Sequence, residues 1–361
     1  MNNFVESYHY WGTEFIVQLQ TLLPDRGLFF MQVSDVGDPG LAFTFYFPLV
    51  VALHAGVGIK LMWSIIFCEW SNMILKWLMA GDRPYWWVHE TKLYLDRELP
   101  ELQQYPRTCE TGPGMPSGHA KLNAAMFYVL VSTFNNMVLK KTSLLSEGQR
   151  VWSCRVMWMA YATWMTLVIL ARVYISAHFP HQCIAGALLG LMIAMVVSRR
   201  PILHVLTRRQ YLALTATILT TVLGTYFSFK AMGGNVLWSL EKAFKWCIRR
   251  NYIHIDSTPF YSFSRYCGVS LGLGLGLSSA MFRKTDRTRF TYKMVVSLVI
   301  LSLFTSQVGV WVHKSLSPQM AAWYVAEFTL NASVTYILVA ILPNFVRVAS
   351  RVPPGDKYKR K

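Results

Sequence analysis

Nine runs, each near the roughly 20 apolar residues that cross a bilayer, dominate this chain, and short charged loops separate them. They fall at approximately 38–57, 59–79, 118–139, 151–171, 179–198, 210–230, 261–282, 293–312 and 321–345. Only 15% of the 361 residues are charged and 53% are hydrophobic, whereas a soluble domain carries about 25% charge. Mean hydropathy is +0.32. The expected fold is an all-α polytopic membrane protein with about nine transmembrane helices. An odd number of crossings puts the termini on opposite faces. Asp35 and Asp38 crowd the first run. The seventh holds Gly268, Gly272, Gly274 and Gly276, and without a strand before it this is no dinucleotide fingerprint; close helix packing is expected there. Met1 to Gly37 is polar and somewhat acidic, so no cleaved signal peptide is expected.

The formal net charge of +17 does not form the contiguous basic face that nucleic acid requires. It sorts by loop. One set holds Lys140, Lys141, Arg150 and Arg155; then Arg199, Arg200, Arg208 and Arg209; then Arg283, Lys284, Arg287, Arg289 and Lys293. The tail adds Arg347, Arg351, Lys357, Lys359, Arg360 and Lys361. The opposite loops are mixed or acidic. By the positive-inside rule the tail is cytosolic, and the N-terminus and the 80–117 and 231–257 loops are lumenal or outside. Trp63, Trp70, Trp77, Trp86, Trp87 and Trp311 suit interface belts. Cys68, Cys154, Cys183 and Cys267 read as packed small hydrophobes. Cys109 and Cys247 fall in polar loops on one side, where they can pair in an oxidising lumen or remain free thiols. No Cys/His spacing resembles a zinc site.

Three polar stretches meet the face where positive charge is disfavoured. They are Lys76 to Pro84, Pro116-Ser-Gly-His119, and Arg172 to Gln182. Lys76, Arg83 and Arg172 could each snorkel from a helix end. Three cations and two histidines gathered on that face point instead to a polyanion site. Seven residues on a helix return to within about 20°, so Lys76 and Arg83 can share a pocket, and Pro84 should end that helix at Arg83. Arg172 and His178 lie about 240° apart on a helix and converge only if it breaks, which Pro180 would allow. Ser117, Gly118 and His119 open the third run, where free backbone N–H groups favour an anion. Such a cradle holds phosphate oxygens. Two histidines without metal ligands suit covalent phosphoryl transfer, one attacking phosphorus and the other protonating the leaving oxygen.

Lys-x6-Arg-Pro, Pro-Ser-Gly-His and Arg-x5-His together resemble the signature of the type 2 phosphatidic acid phosphatase and vanadium haloperoxidase superfamily. "GDRPYWWVHET", "CETGPGMPSGH", "SAHFPHQ", "LEKAFKWC" and "HIDSTPF" are similar to the glucose-6-phosphatase catalytic subunit family. This second resemblance runs from about residue 8 to the C-terminus. It implies a nine-span endoplasmic reticulum enzyme built on a type 2 phosphatidic acid phosphatase helical core. Its site would be lumenal and would hydrolyse glucose 6-phosphate in the last step of gluconeogenesis and glycogenolysis. His178 would be the nucleophile that becomes phosphohistidine, and His119 the general acid. Lys76, Arg83, Ser117, Gly118 and Arg172 would hold the phosphoryl group. No metal or other cofactor is expected. Glucose 6-phosphate, the bilayer and a glucose-6-phosphate transporter supplying the lumen are the expected partners. Residues 1–361 would form one membrane-embedded phosphatase domain, with 80–117 a lumenal loop carrying part of the site and 346–361 a basic cytosolic tail.

Several positions depart from the resemblance. Ala171 replaces the serine that usually precedes the third-motif arginine, and Met115 stands where the family has Ser. Gln182 replaces the superfamily's orienting Asp; its amide oxygen can accept the imidazole N–H without adding charge, which favours a sugar phosphate over a lipid. Lys121 has no catalytic account and is expected to snorkel. Sugar contacts are expected around Glu110 and the 80–117 loop. The sequon Asn331-Ala-Ser333 lies inside a predicted span, and Lys357 to Lys361 fits a dilysine retrieval pattern. Two alternatives remain. One is a lipid or polyprenyl pyrophosphate phosphatase. The other is a sugar-phosphate transporter, although transporters place sites near the midplane, often with inverted repeats, and no repeat is visible.

Overall fold

The computed structural model describes residues 3–139, 145–286, 288–316 and 321–353. Lys140, Lys141, Arg287 and the dilysine pattern at Lys357–Lys361 lie outside the described residues. Among those described, the regular structure is α-helix with short 3₁₀ and π turns, plus one isolated parallel bridge between Glu110 and His254. Six stretches are long and apolar enough to cross a membrane: Gly27–Leu53, Glu147–Tyr174, Pro180–Ser198, Arg208–Ala231, Tyr292–Ser315 and Ala322–Ala349. The other three expected spans also fold as helices, Ala55–Met79, Gly118–Phe134 and Pro259–Leu277. Lys60, Glu69 and Lys76 interrupt the first of these, and the second has only 17 residues before a π turn at Asn135–Leu139.

The chain divides into two compact units. One comprises Met1–Pro39, Cys68–Met195 and Val222–Ser262. Its core joins Ile16, Tyr85, Trp86, Trp87, Val173, Phe179 and Cys183. A second cluster joins Phe30 and Val33 to Val168, Ala171 and Tyr174. Here two glycines of Pro180–Ser198 admit close approach by another backbone. A Cβ at Gly186 would lie 2.5 Å from the Ser117 carbonyl oxygen, and one at Gly190 would lie 1.9 Å from that of Lys121. The start of the His119 helix is therefore seated directly on the helix that follows His178.

The other unit comprises Gly40–Phe67, Val196–Thr221 and Phe263–Lys361. The glycine-rich run packs helices closely, as expected. Gly268 and Gly272 would each place a Cβ against a carbonyl of Ala321–Tyr336, at 2.3 Å from Phe328 and 2.1 Å from Ala332. Asn331 of the sequon lies in that helix and donates to Glu327.

Three sequence expectations need correction. The helix carrying Lys76 stops at Met79, before Arg83, because Ala80 turns into the left-handed region at φ 42°. Arg83 is extended, as a residue before proline must be, and Pro84 starts the next helix, Pro84–Glu90. The interface-belt reading of the tryptophans also fails for Trp63, Trp77, Trp86 and Trp87, which are buried. Trp63 stacks on Tyr211 and Trp86 donates to the Asp82 carboxylate, so these rings pack inside the protein rather than in an interface belt. Lys121 does not snorkel. It is 1% exposed with no hydrogen-bond partner for its ammonium, and Cys68 and Glu69 are its electrostatic neighbours.

Candidate active site

Seven site residues were expected from sequence, and all lie in the first unit. Lys76 sits in the last turn of Ala55–Met79. Its ammonium ends beside Gly112, where an added Cβ would be 3.1 Å away. Ser117 caps Gly118–Phe134 by accepting from the Ala120 N–H at 3.5 Å, so Gly118 and His119 occupy the first turn. That exposes the free N–H end of the helix, the positive pole of its dipole.

Arg172 and His178 meet because the helix between them ends in a Schellman turn. Ser176 takes φ 58°, the Ser176 N–H donates to the Val173 carbonyl at 2.9 Å, and the Ala177 N–H donates to that of Arg172 at 3.1 Å. A left-handed non-glycine residue costs of order 1–3 kcal/mol and persists only when its surroundings hold it. Here the Ser176 hydroxyl donates to the Gln103 carbonyl and accepts from the Gln20 amide. The expected helix break is present, and it lies four residues before Pro180.

Arg83 is fully buried and its fork is saturated. It donates to the carbonyls of Gly112 (2.7 Å), Ala177 (2.9 Å) and Pro113 (3.3 Å), and its Nη2 lies 2.9 Å from Glu110 Oε2. A fifth contact fixes the nucleophile candidate: Arg83 Nη1 lies 3.1 Å from His178 Nε2. On the other side of that ring, Nδ1 faces two acceptors, the Gly114 carbonyl at 2.8 Å and Gln182 Oε1 at 3.3 Å. The proton therefore sits on Nδ1, and Nε2 keeps its lone pair and accepts from the guanidinium. Burial first, then the neighbouring Arg83, pushes the His178 pKa down to about 3. The ring is a neutral imidazole at ordinary pH.

Gln182 was expected to orient His178, and it does so as the weaker of two partners. The same amide accepts from the Phe179 N–H at 3.1 Å and donates to the Asp82 carbonyl at 2.7 Å. It thereby ties the His178 turn to the Arg83 loop.

Glu110 is the member whose place was not foreseen. Its carboxylate bridges the two arginines, with Oε2 on Arg83 and Oε1 accepting from Arg172 Nη2. His119 Nδ1 is 3.4 Å from Oε1 and His178 Nε2 is 3.6 Å from Oε2. Burial alone would raise this carboxyl, but Arg172 and Arg83 outweigh it and hold the group well below the carboxylate range. Arg172 also donates to the Ser34 hydroxyl at 2.7 Å, and Asp38 stands 3.8 Å from His119 Nε2. Asn123 pins the same turn by donating to the His119 and Gly37 carbonyls. Ser34 and Asp38 carry no motif signal and reach the site only through tertiary packing.

The loop bearing Glu110 is fixed independently. Cys109 and Cys247 form a disulfide, which closes the alternative left open by the sequence. Tyr85 donates to the Glu110 carbonyl, the His254 N–H donates to that of Cys109, and the Thr111 N–H donates to the Ser257 hydroxyl.

The arrangement amounts to a buried anion position ringed by two guanidiniums, an ammonium, a helix N-terminus and two imidazoles. Among the described residues, no cluster of His, Cys, Asp and Glu is arranged to hold a metal. The residues also match known proteins. The PAP2 superfamily model matches residues 57–203. Glucose-6-phosphatase catalytic subunit 1 of Haplochromis nubilus is 38% identical over 297 residues, covering 82% of this chain and 83% of the relative. The protein of the same name from Felis catus is 36% identical over 344 residues, covering 93% and 94%. Glucose-6-phosphatase 2 of Mus musculus is 35% identical over 331 residues, covering 90% and 91%. No solved structure matches. The resemblance read from the motifs is borne out, and the chain belongs to the glucose-6-phosphatase catalytic subunit family.

Proposed function

We propose that this protein hydrolyses glucose 6-phosphate to glucose and inorganic phosphate, as a phosphoric monoester hydrolase working through a phosphohistidine. The observation that carries the reading is the convergence of Arg83, Arg172, His119 and His178 on one buried anion position, now filled by a carboxylate. Buried positive charge in excess of the one carboxylate beside it has no structural use without a further anion to bind.

In this reading the phosphoryl oxygens take the donors of Arg83, Arg172 and Lys76 and the N–H groups of Gly118 and His119, while the Ser117 N–H stays on the Gln182 carbonyl. These donors stabilise charge that grows in the transition state. The His178 Nε2 lone pair attacks phosphorus while the bond from phosphorus to the C6 oxygen breaks. His119 delivers a proton to that oxygen and glucose leaves. Water then attacks phosphorus, His119 takes its proton, the bond from phosphorus to His178 Nε2 breaks, and inorganic phosphate departs. Each step needs its proton at the ring the motif assigns, and general acid–base help of this kind contributes about 10²–10⁴-fold.

The family supports a nine-span topology with residues 1–361 as one membrane-embedded phosphatase domain in the endoplasmic reticulum. The site and the 80–117 loop would be lumenal, the 346–361 tail cytosolic, and a glucose-6-phosphate transporter would supply the lumen. The Cys109–Cys247 disulfide supports an oxidising compartment for that loop.

Purified protein in detergent, with no vesicle present, should release phosphate from glucose 6-phosphate and survive EDTA. Preference for a lipid phosphate or a polyprenyl pyrophosphate in the same panel would move the assignment within the superfamily. Binding of sugar phosphate without hydrolysis would favour a transporter.

A further inference from the structure

The Glu110 carboxylate sits where a phosphoryl group would sit. Its two oxygens face two buried guanidiniums, the planar two-point presentation that arginine makes equally to carboxylate and phosphate. Both histidines assigned to the chemistry lie within 3.6 Å of the same two oxygens. A phosphoryl dianion and this carboxylate cannot share the position, since like charges side by side in a buried site repel strongly. The backbone around Glu110 does not depend on its carboxylate. Tyr85 holds the Glu110 carbonyl, Ser257 holds Thr111, and the disulfide holds Cys109. A rotation of the side chain can vacate the position while the loop stays in place.

We propose that Glu110 is the resident occupant of the phosphoryl cradle, keeping Arg83 and Arg172 in register in the empty enzyme and giving way when a phosphoryl group binds. The inference rests on the phosphatase reading above. It makes Glu110 a positioning residue with two consequences. Entry is restricted to anions that outcompete a bidentate carboxylate, so a dianionic monoester is favoured over a monoanionic diester. Product phosphate is also met by an internal competitor, which hastens its release at the expense of affinity.

The test measures anion binding rather than turnover, so that this inference and the phosphatase reading can fail separately. Glu110→Gln keeps the shape and removes the charge. Inorganic phosphate, titrated calorimetrically into purified protein, should bind this variant about tenfold more tightly than wild type or better, equivalent to roughly 1.4 kcal/mol. A merely structural role for Glu110 predicts unchanged or weaker binding, and either result would overturn the proposal. If Glu110→Gln does not fold, a structure of the wild-type protein with vanadate decides. The carboxylate should then have left both guanidiniums. Vanadate bound in the cradle with Glu110 still bridging Arg83 and Arg172 would refute displacement. Phosphate bound more tightly by a protein that hydrolyses no glucose 6-phosphate would count against the proposed function and leave this inference standing.

Discussion

Each unit of the molecule buries a carboxylate, and the company they keep is different. In the second unit, Glu327 is 2% exposed. It is met by one imidazole, His313 Nδ1 at 2.5 Å, and by the Asn331 amide at 3.1 Å. A small cavity beside them is lined by Arg265, Ser306 and Thr44 together with Phe43, Val310 and Leu330. In the first unit, Glu110 is met by two guanidiniums and two imidazoles, with Lys76 and a helix N-terminus close by. A matched pair at membrane depth explains itself as packing. Positive charge in excess of its resident anion does not, because isolated buried charge costs several kcal/mol per ion. The surplus, rather than the burial, marks a binding site.

This contrast can be broken by substitution. His119→Ala should lower turnover of glucose 6-phosphate by about 10²–10⁴-fold, the usual worth of a positioned acid. It should cost less on an aryl phosphate, whose leaving group needs no proton. Equal losses on both substrates would remove His119 from the leaving-group step. Arg83→Met should cost about 10²–10³-fold in kcat, the price of one preorganised charge-stabilising donor. A Glu327→Gln variant of the second unit should stay within about twofold of wild type in kcat/KM while losing stability of about 1 kcal/mol, read as a lower Tm. A comparable loss of activity from Glu327→Gln would erase the distinction between the two regions.

A smaller effect sharpens the first region alone. In the unfolded chain His178 binds a proton below its ordinary pKa near 6.5, whereas in the fold it stays neutral until about pH 3. The unfolded state therefore takes up more protons in that window, and stability must fall as pH drops from 6.5 towards 3. Between pH 6.5 and 5 the loss attributable to this ring is about 1–2 kcal/mol. Thermal melts of wild type and His178→Asn over that range should differ in slope by this amount, and parallel slopes would contradict the buried neutral ring.

Much of this was legible in the chain and part of it was not, for identifiable reasons. Lys76, Arg83, Ser117, His119, Arg172 and His178 could be read because local motifs place each at a helix end on one face. The route was less legible: Arg83 arrives through a left-handed turn taken by Ala80 rather than by the adjoining Gly81. The break after Arg172 likewise falls at Ser176 rather than at proline. Glu110 was expected near the sugar, and its place on the two arginines was hidden because a carboxylate runs against the charge signal of an anion site. Ser34 was hidden because 138 residues separate it from Arg172. Lys121 was misread because hydropathy reports depth in a membrane but not burial beside the electrostatic neighbours Cys68 and Glu69.

The most direct test of the account is to trap the intermediate. Purified protein mixed with glucose 6-phosphate labelled on phosphorus and quenched in acid should carry one label, stable to alkali and labile to acid, as a phosphoramidate is. Peptide mapping should place it on His178, and His178→Ala should lose both adduct and turnover. With a labelled aryl phosphate, whose leaving group needs no proton, the label should accumulate in His119→Ala, where the water-activating base is missing. A label on His119, or full turnover by His178→Ala, would contradict the assignment of Nε2 of His178 as the attacking atom.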